Sequence, residues 1–133
     1  MRNITSKKQG FTLVEIMIVV AIIALLAAIA IPNLLRAKMS ANDALAKATI
    51  RAISTAAESF GTANNGNYPA NETSLTGASP AYLNKSYCGT TQSGYVIACT
   101  FSTSAYSVTA TPVTVGTSGT TTYTITTGGV LTP

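Results

Sequence analysis

Polar and apolar positions along this chain fall into three regimes. Residues 1–10 are polar and basic, with Arg2, Lys7 and Lys8 and no acidic side chain. From Phe11 to Ile31 the chain is apolar on every face, interrupted by one charged residue, Glu15. At 1.5 Å per residue this stretch makes a helix of about 31 Å, the thickness of a bilayer hydrocarbon core of roughly 30 Å. A helix apolar all round is not the half-exposed helix of a soluble protein. It is an anchor or a segment that ends up surrounded by other helices.

Past Pro32 the helical pattern continues with a different character. Ala41, Ala44, Leu45, Ala48, Ala52, Ala56 and Phe60 recur at spacings of three or four, which predicts one apolar stripe. Arg36, Lys38, Lys47, Arg51 and Glu58 fall on other faces, and Asp43 is placed to pair with Lys47 at i,i+4. The expectation is one long helix from Phe11 to about Phe60, bent near Pro32, whose ring clashes with the carbonyl of Ala28 and offers it no N–H. The alanines suit close approach of helix backbones as well as helix formation.

At Gly61 the composition changes. Residues 61–133 carry only Glu72 and Lys85 as charged side chains, amid abundant Thr and Ser. Asn64-Asn65-Gly66-Asn67-Tyr68-Pro69 is a turn cluster that ends the helix. Tyr95 to Phe101, Tyr106 to Val115 and Thr120 to Thr127 read as strands from their β-branched and aromatic content, with a short Val130-Leu131 segment after Gly128-Gly129. The fold class expected is therefore α+β: a long N-terminal helix packed against a small antiparallel sheet. The organisation expected is a leader (1–10), a membrane or assembly helix (11–31), its amphipathic continuation (32–60) and a Ser/Thr-rich head (61–133).

Chemistry changes this picture little. The chain has no histidine and only Glu15, Asp43, Glu58 and Glu72 as carboxylates, which excludes His-based catalysis and leaves no paired-carboxylate site. No phosphate loop, dinucleotide fingerprint or metal-ligand cluster occurs, so neither enzyme nor cofactor nor metal site is expected. The formal charge of +4 misleads about partners, because three of the eight basic residues lie in 1–10. Without them five basic and four acidic side chains remain, too small an excess to argue nucleic-acid binding. The leader's positive charge instead holds the N-terminus on the cytoplasmic side during insertion. Asn71-Glu72-Thr73 and Asn84-Lys85-Ser86 fit the N-x-S/T pattern, which is common in so Ser/Thr-rich a chain and carries no assignment.

What a plain anchor does not explain is the junction Lys7-Lys8-Gln9-Gly10, Phe11-Thr12-Leu13-Val14-Glu15, running into the apolar helix through Ile31-Pro32-Asn33. A secretory signal has its cleavage site after a shorter apolar core, whereas the only plausible site here precedes it. The combination of basic leader, glycine, phenylalanine, glutamate and apolar helix resembles type IV prepilins and the related pseudopilins of type II secretion. Asn67-Tyr68-Pro69, Tyr106 to Pro112 and Gly128-Gly129-Val130 are also similar to members of that family. The resemblance implies cleavage by a prepilin peptidase between Gly10 and Phe11 and methylation of the new Phe11 amine. It implies assembly roles for Thr12, Glu15 and Pro32, storage in the bilayer of the inner membrane, extraction by an assembly platform, and polymerisation into a helical homo-oligomeric filament outside the cell. On the exported side of a membrane Cys88 and Cys99 are expected to pair.

Two other readings of the residues stand beside the pilin. A pseudopilin shares the N-terminal signature and would build a short periplasmic filament. The major pseudopilins resembled here carry a calcium site in the C-terminal domain, and after Phe60 this chain offers only Glu72 as a carboxylate. The third reading is a monomeric, membrane-anchored binding domain.

Overall fold

A computed structural model describes residues 10–133. Helix α1 spans Leu13–Ala63, passing through Pro32. It starts at Leu13, two residues after the expected Phe11, because Thr12 and Glu15 cap it there. Its end is set by Asn65, which takes the left-handed conformation at φ 56°, with Gly66 following at φ 88°. The Gly66 amide then bonds the carbonyl of Gly61 at 2.8 Å, satisfying one of the last helical carbonyls. The helix thus outruns the expected end at Phe60 by about one turn.

The chain divides into two compact units at the Leu35–Arg36 junction. In the first, the large side chains of α1 are exposed, among them Leu13, Ile18, Ile22, Leu26 and Ile31. Burial of this surface has to come from lipid or other chains, since each such side chain gains about 1.5–3 kcal/mol when fully removed from water.

The second unit combines the later part of α1 with a four-residue helix, α2 (Thr73–Thr76), and five strands. These are β1 (Thr91–Gln92), β2 (Tyr95–Ser102), β3 (Ala105–Pro112), β4 (Tyr123–Thr126) and β5 (Val130–Thr132), forming an antiparallel sheet in sequential order. Tyr95 and Ile97 of β2, Tyr106, Val108 and Ala110 of β3, and Tyr123 and Ile125 of β4 point inward by strand alternation. With Ala46, Ile50, Ile53 and Ala57 of α1 they make the core. The opposite face is Thr-rich and uncharged, with Thr100, Thr111 and Thr126 exposed.

The expected helix stripe is corrected by this packing. The buried positions are Asn42, Ala46, Ile50, Ile53, Ser54, Ala56, Ala57 and Gly61, while Ala41, Ala44, Leu45, Ala48 and Ala52 are exposed. Ile50 and Ile53 decide the rotation. Two fully buried β-branched side chains outweigh a row of alanines, each of which has little surface to hide. Only Ala56 and the half-buried Phe60 of the expected stripe face the sheet.

The strands deviate at their ends for identifiable reasons. β3 stops at Pro112, and Val113 bonds Gly94 instead of continuing the ladder to Val115. Ser118 and Thr120 are drawn to α1 by Asn42 and Asp43, so β4 begins only at Tyr123. Gly119 is needed there because a Cβ at that position would fall inside the Tyr95 phenol. Both α2 and β1 are too short to leave a periodic signal and were not expected.

Candidate functional site

Three features carry the candidate site: the Gly10–Phe11 junction, the helix start and the clamps that hold the head.

The Gly10–Phe11 bond lies in non-helical backbone immediately before α1. Gly10 has open space where a side chain would be, and Phe11 is 87% exposed. The basic residues Arg2, Lys7 and Lys8 lie outside the described residues. At the helix start the Thr12 hydroxyl accepts from the Glu15 amide at 3.2 Å. Glu15 Oε2 in turn accepts from the Thr12 amide and hydroxyl, both at 2.7 Å. This is a capping box, a Thr-x-x-Glu pair in which each residue satisfies the other's helix-end donor. The Thr-x-x-Glu spacing is legible in Thr12-Leu13-Val14-Glu15. From Leu13 onward α1 is long and apolar enough to cross a membrane.

In the head each carboxylate is held by uncharged donors. Asp43 accepts from the Tyr95 hydroxyl, from the Thr120 hydroxyl at 2.7 Å and from the Thr120 amide at 3.3 Å. The expected Asp43–Lys47 pair is therefore secondary. The Lys47 ammonium sits 4.6 Å from the centre of the Tyr123 ring and acts on Asp43 only through space. Desolvation opposes ionisation of Asp43, but the Tyr95 and Thr120 hydrogen bonds outweigh it and hold its pKa below the ordinary value.

Glu58 does the same at the other end of the head. Its Oε1 accepts from the Tyr106 hydroxyl at 2.8 Å and the Gly128 amide at 2.6 Å, and its Oε2 from Tyr68 at 3.1 Å. Partial burial again opposes ionisation and is outweighed, so the pKa is lowered. Tyr106 feels the counterpart: desolvation first, then Glu58, push its hydroxyl up to about 12 against a lowering contribution from Ser54. Tyr95 is raised too, by burial and by Asp43. Two helix carboxylates thus fasten the segment before β4 and the turn after it.

Glu72 fastens the remaining loop. Its Oε1 accepts from the amides of Tyr87 at 2.6 Å and Cys88 at 3.0 Å, and its Oε2 from the Ser86 hydroxyl. Cys88 and Cys99 form a disulfide with Cα atoms 5.5 Å apart, tying this loop to β2. Sequence reasoning missed the roles of Asp43, Glu58 and Glu72, because donors from tyrosines and turn amides far along the chain leave no local pattern.

Comparison with known proteins bears on the first of these features. Residues 5–31 match the prokaryotic N-terminal methylation motif. The chain thus carries the N-terminal motif of type IV prepilins. It is 50% identical over 54 residues to the type IV major pilin protein PilA of Myxococcus xanthus, covering 41% of this chain and 24% of that protein. It is 45% identical over 67 residues to the type IV wide pilus major component PilA4 of Thermus thermophilus, covering 50% of each. It is also 40% identical over 65 residues to the type II secretion system core protein G of Escherichia coli, covering 49% of this chain and 44% of that protein. The matches thus span from about a quarter to half the length of these relatives. No solved structure matches the chain significantly. The long apolar helix packed, in its second part, on a small antiparallel sheet is the α+β architecture expected from the sequence.

Proposed function

We propose that this chain is the structural subunit of a type IV pilus, working by polymerisation rather than catalysis. Prepilin peptidase cuts between Gly10 and Phe11 and the new Phe11 amine is methylated. The segment from Phe11 to Ile31 then holds the subunit in the inner membrane. An assembly platform extracts it, and the helices bundle as the core of an extracellular filament, with the Thr-rich sheets outside. The observation that carries this reading is an apolar stretch of helix, exposed along the first unit, that opens two residues after an exposed glycine–phenylalanine bond.

Within the filament Glu15 is the proposed partner of the Phe11 amine of the next subunit. An isolated carboxylate at membrane depth costs about 2.5–3.5 kcal/mol, and an isolated amine is comparably unfavourable there, whereas a pair is tolerated. Thr12 caps the helix beside that pair, and Pro32 leaves the Ala28 carbonyl open to adjustment in the packed core. The Cys88–Cys99 disulfide stiffens the head.

A pseudopilus is the second reading, favoured by the likeness to core protein G. Against it stands the use of Glu72, whose two oxygens are already committed to Ser86, Tyr87 and Cys88 in a loop clamped by the disulfide. Calcium coordination needs free oxygen ligands. An anchored domain that never polymerises is the third reading, and it assigns no purpose to the Gly10–Phe11 junction. The testing experiment replaces Gly10 by Val, which obstructs the scissile bond. A full-length membrane-bound precursor with no filaments is expected; normal cleavage and assembly would overturn the processing assignment.

A further inference from the structure

The end of the head that is joined to the apolar segment carries two features for which the clamps give no reason. The first is a pair of cations. Arg36 and Lys38 are both exposed at the start of the second unit. Two residues apart on a helix, they lie about 200° from each other around its axis, on opposite sides. The chain has no side-chain anion left for them. Its carboxylates are Glu15, Asp43, Glu58 and Glu72. Glu15 accepts from Thr12, and the other three accept from hydroxyls and amides of the head.

The second feature is the loop 113–122 between β3 and β4, whose valines Val113 and Val115 are 57% and 72% exposed. The loop is fixed. The Thr114 carbonyl accepts from the amides of Thr117 and Ser118 at 3.2 and 2.8 Å, and the Gly116 amide bonds the Gly119 carbonyl at 2.9 Å. The Val113 amide bonds the Gly94 carbonyl at 2.9 Å. Asn42 donates to the Ser118 carbonyl at 2.7 Å, and the Thr120 hydroxyl donates to Asp43 at 2.7 Å. These two bonds pin the loop to α1 within about 10 Å of helix rise after Arg36. An apolar tip held in place beforehand loses little entropy when it is covered.

Charge and geometry together select what covers this end. Cations on opposite sides of a helix suit a plane that the helix crosses better than a partner laid along one face. A second copy offers them nothing, because its own carboxylates are committed in the same way. An anionic lipid surface offers phosphates all round the helix, with an apolar layer beneath them for the valines.

We propose that this end of the head docks on the bilayer that holds the apolar segment. Arg36 and Lys38 pair with phosphates of anionic phospholipids, and Val113 and Val115 enter the interface. Docking presupposes the membrane-held subunit proposed above and adds what its head touches before assembly. It does not depend on polymerisation, on Glu15 or on cleavage at Gly10.

The chain contains no tryptophan, so one introduced indole reports on the loop alone. The full chain with Val115→Trp is reconstituted at high dilution in vesicles of phosphatidylcholine, with or without phosphatidylglycerol. Quenching of the indole by lipids brominated in their acyl chains, and by aqueous iodide, measures the ratio of docked to undocked heads. Quenching by the brominated lipid and protection from iodide are expected in the vesicles with phosphatidylglycerol. Arg36→Gln and Lys38→Gln should each lower the ratio about fivefold, the effect of one basic residue at an anionic surface. Val113→Trp should report as Val115→Trp does. Val130→Trp, at a position 56% exposed beside the turn that Glu58 holds at the other end of the head, should stay open to iodide. Vesicles that float with the chain while the Val115→Trp and Val113→Trp indoles stay open to iodide would overturn the docking and leave the anchor standing. A chain that does not float with vesicles would overturn both. Protection that is equal without phosphatidylglycerol, or unmoved by the paired Arg36→Gln and Lys38→Gln substitutions, would also overturn the docking. So would protection that grows with the protein-to-lipid ratio, which would assign the loop to a second copy.

Discussion

At the residue scale, Glu15 has two jobs available and they can be separated. In the capping box it accepts from Thr12, a neutral role within one chain. In the filament proposed here it compensates the Phe11 amine of a neighbour and sets axial register. Glu15→Ala removes both, whereas Thr12→Ala removes the hydroxyl part of the cap, keeps the backbone amide donor and leaves the charge. Glu15→Ala is expected to be inserted and cleaved normally yet to yield few filaments, while Thr12→Ala should assemble at close to parental abundance. Quantifying sheared filaments from the two strains decides the matter. Equal defects in both would reduce Glu15 to a cap, and full assembly of Glu15→Ala would leave it no part in polymerisation.

Asp43 and Glu58 give the head a pH signature at the same scale. Their folded pKa values lie below the ordinary carboxylate values, so their contribution is complete above about pH 4 and is lost as pH falls through the lowered values. Tyr95 and Tyr106 are shifted the other way, so their contribution is complete below about pH 10 and fades as pH rises through the raised values, about 12 for Tyr106. Thermal melts of the full chain should therefore show a plateau between these limits and a fall on each side. Glu58→Gln should flatten the acid side, and a melting curve whose acid limb is unchanged by that substitution would contradict the clamp.

At the element scale, what could be read from the sequence follows from how local each signal is. The apolar run from Phe11 to Ile31, the turn at Asn65-Gly66 and the alternation in Tyr95 to Phe101 are local, and each appears where expected. The face of α1 turned to the sheet was misread because alanine spacing carries weak contrast, and the two isoleucines at 50 and 53 settle it only once the sheet is present. The capping box was readable from Thr12-x-x-Glu15 alone. The clamps were not, since Asp43 meets Thr120 and Glu58 meets Gly128 across some seventy residues or more. The loop 113–122 was equally hidden, because its hold on α1 runs through Asn42 and Asp43.

The disulfide belongs to this scale because it fixes a loop rather than a residue. Closing the short ring from Cys88 to Cys99 stabilises by about 3 kcal/mol in the loop-entropy model. Cys99→Ser is expected to lower the unfolding free energy of the full chain by about that amount while leaving peptidase cleavage intact. Denaturant melts and gel mobility of the processed form report the two halves separately. Ready alkylation of both thiols in native, unreduced protein would contradict the pairing.

At the scale of the whole molecule, the first unit has no core of its own and the second has one. An exposed helix with side chains such as Ile16, Ile22 and Leu26 at more than half their full exposure is stable only among lipids or among copies of itself. The head supplies the converse, a clamped sheet with an uncharged outer face. In the proposed filament, polymerisation through the helix follows removal of residues 1–10. The most direct measurement is the intact mass and N-terminal sequence of the subunit in filaments sheared from cells that express the full chain. The expected subunit begins at Phe11, carries a methylated amine and retains the Cys88–Cys99 disulfide. A chain that still carries residues 1–10, or one that is processed but found only as a membrane monomer with no filaments at the surface, would contradict the pilus assignment.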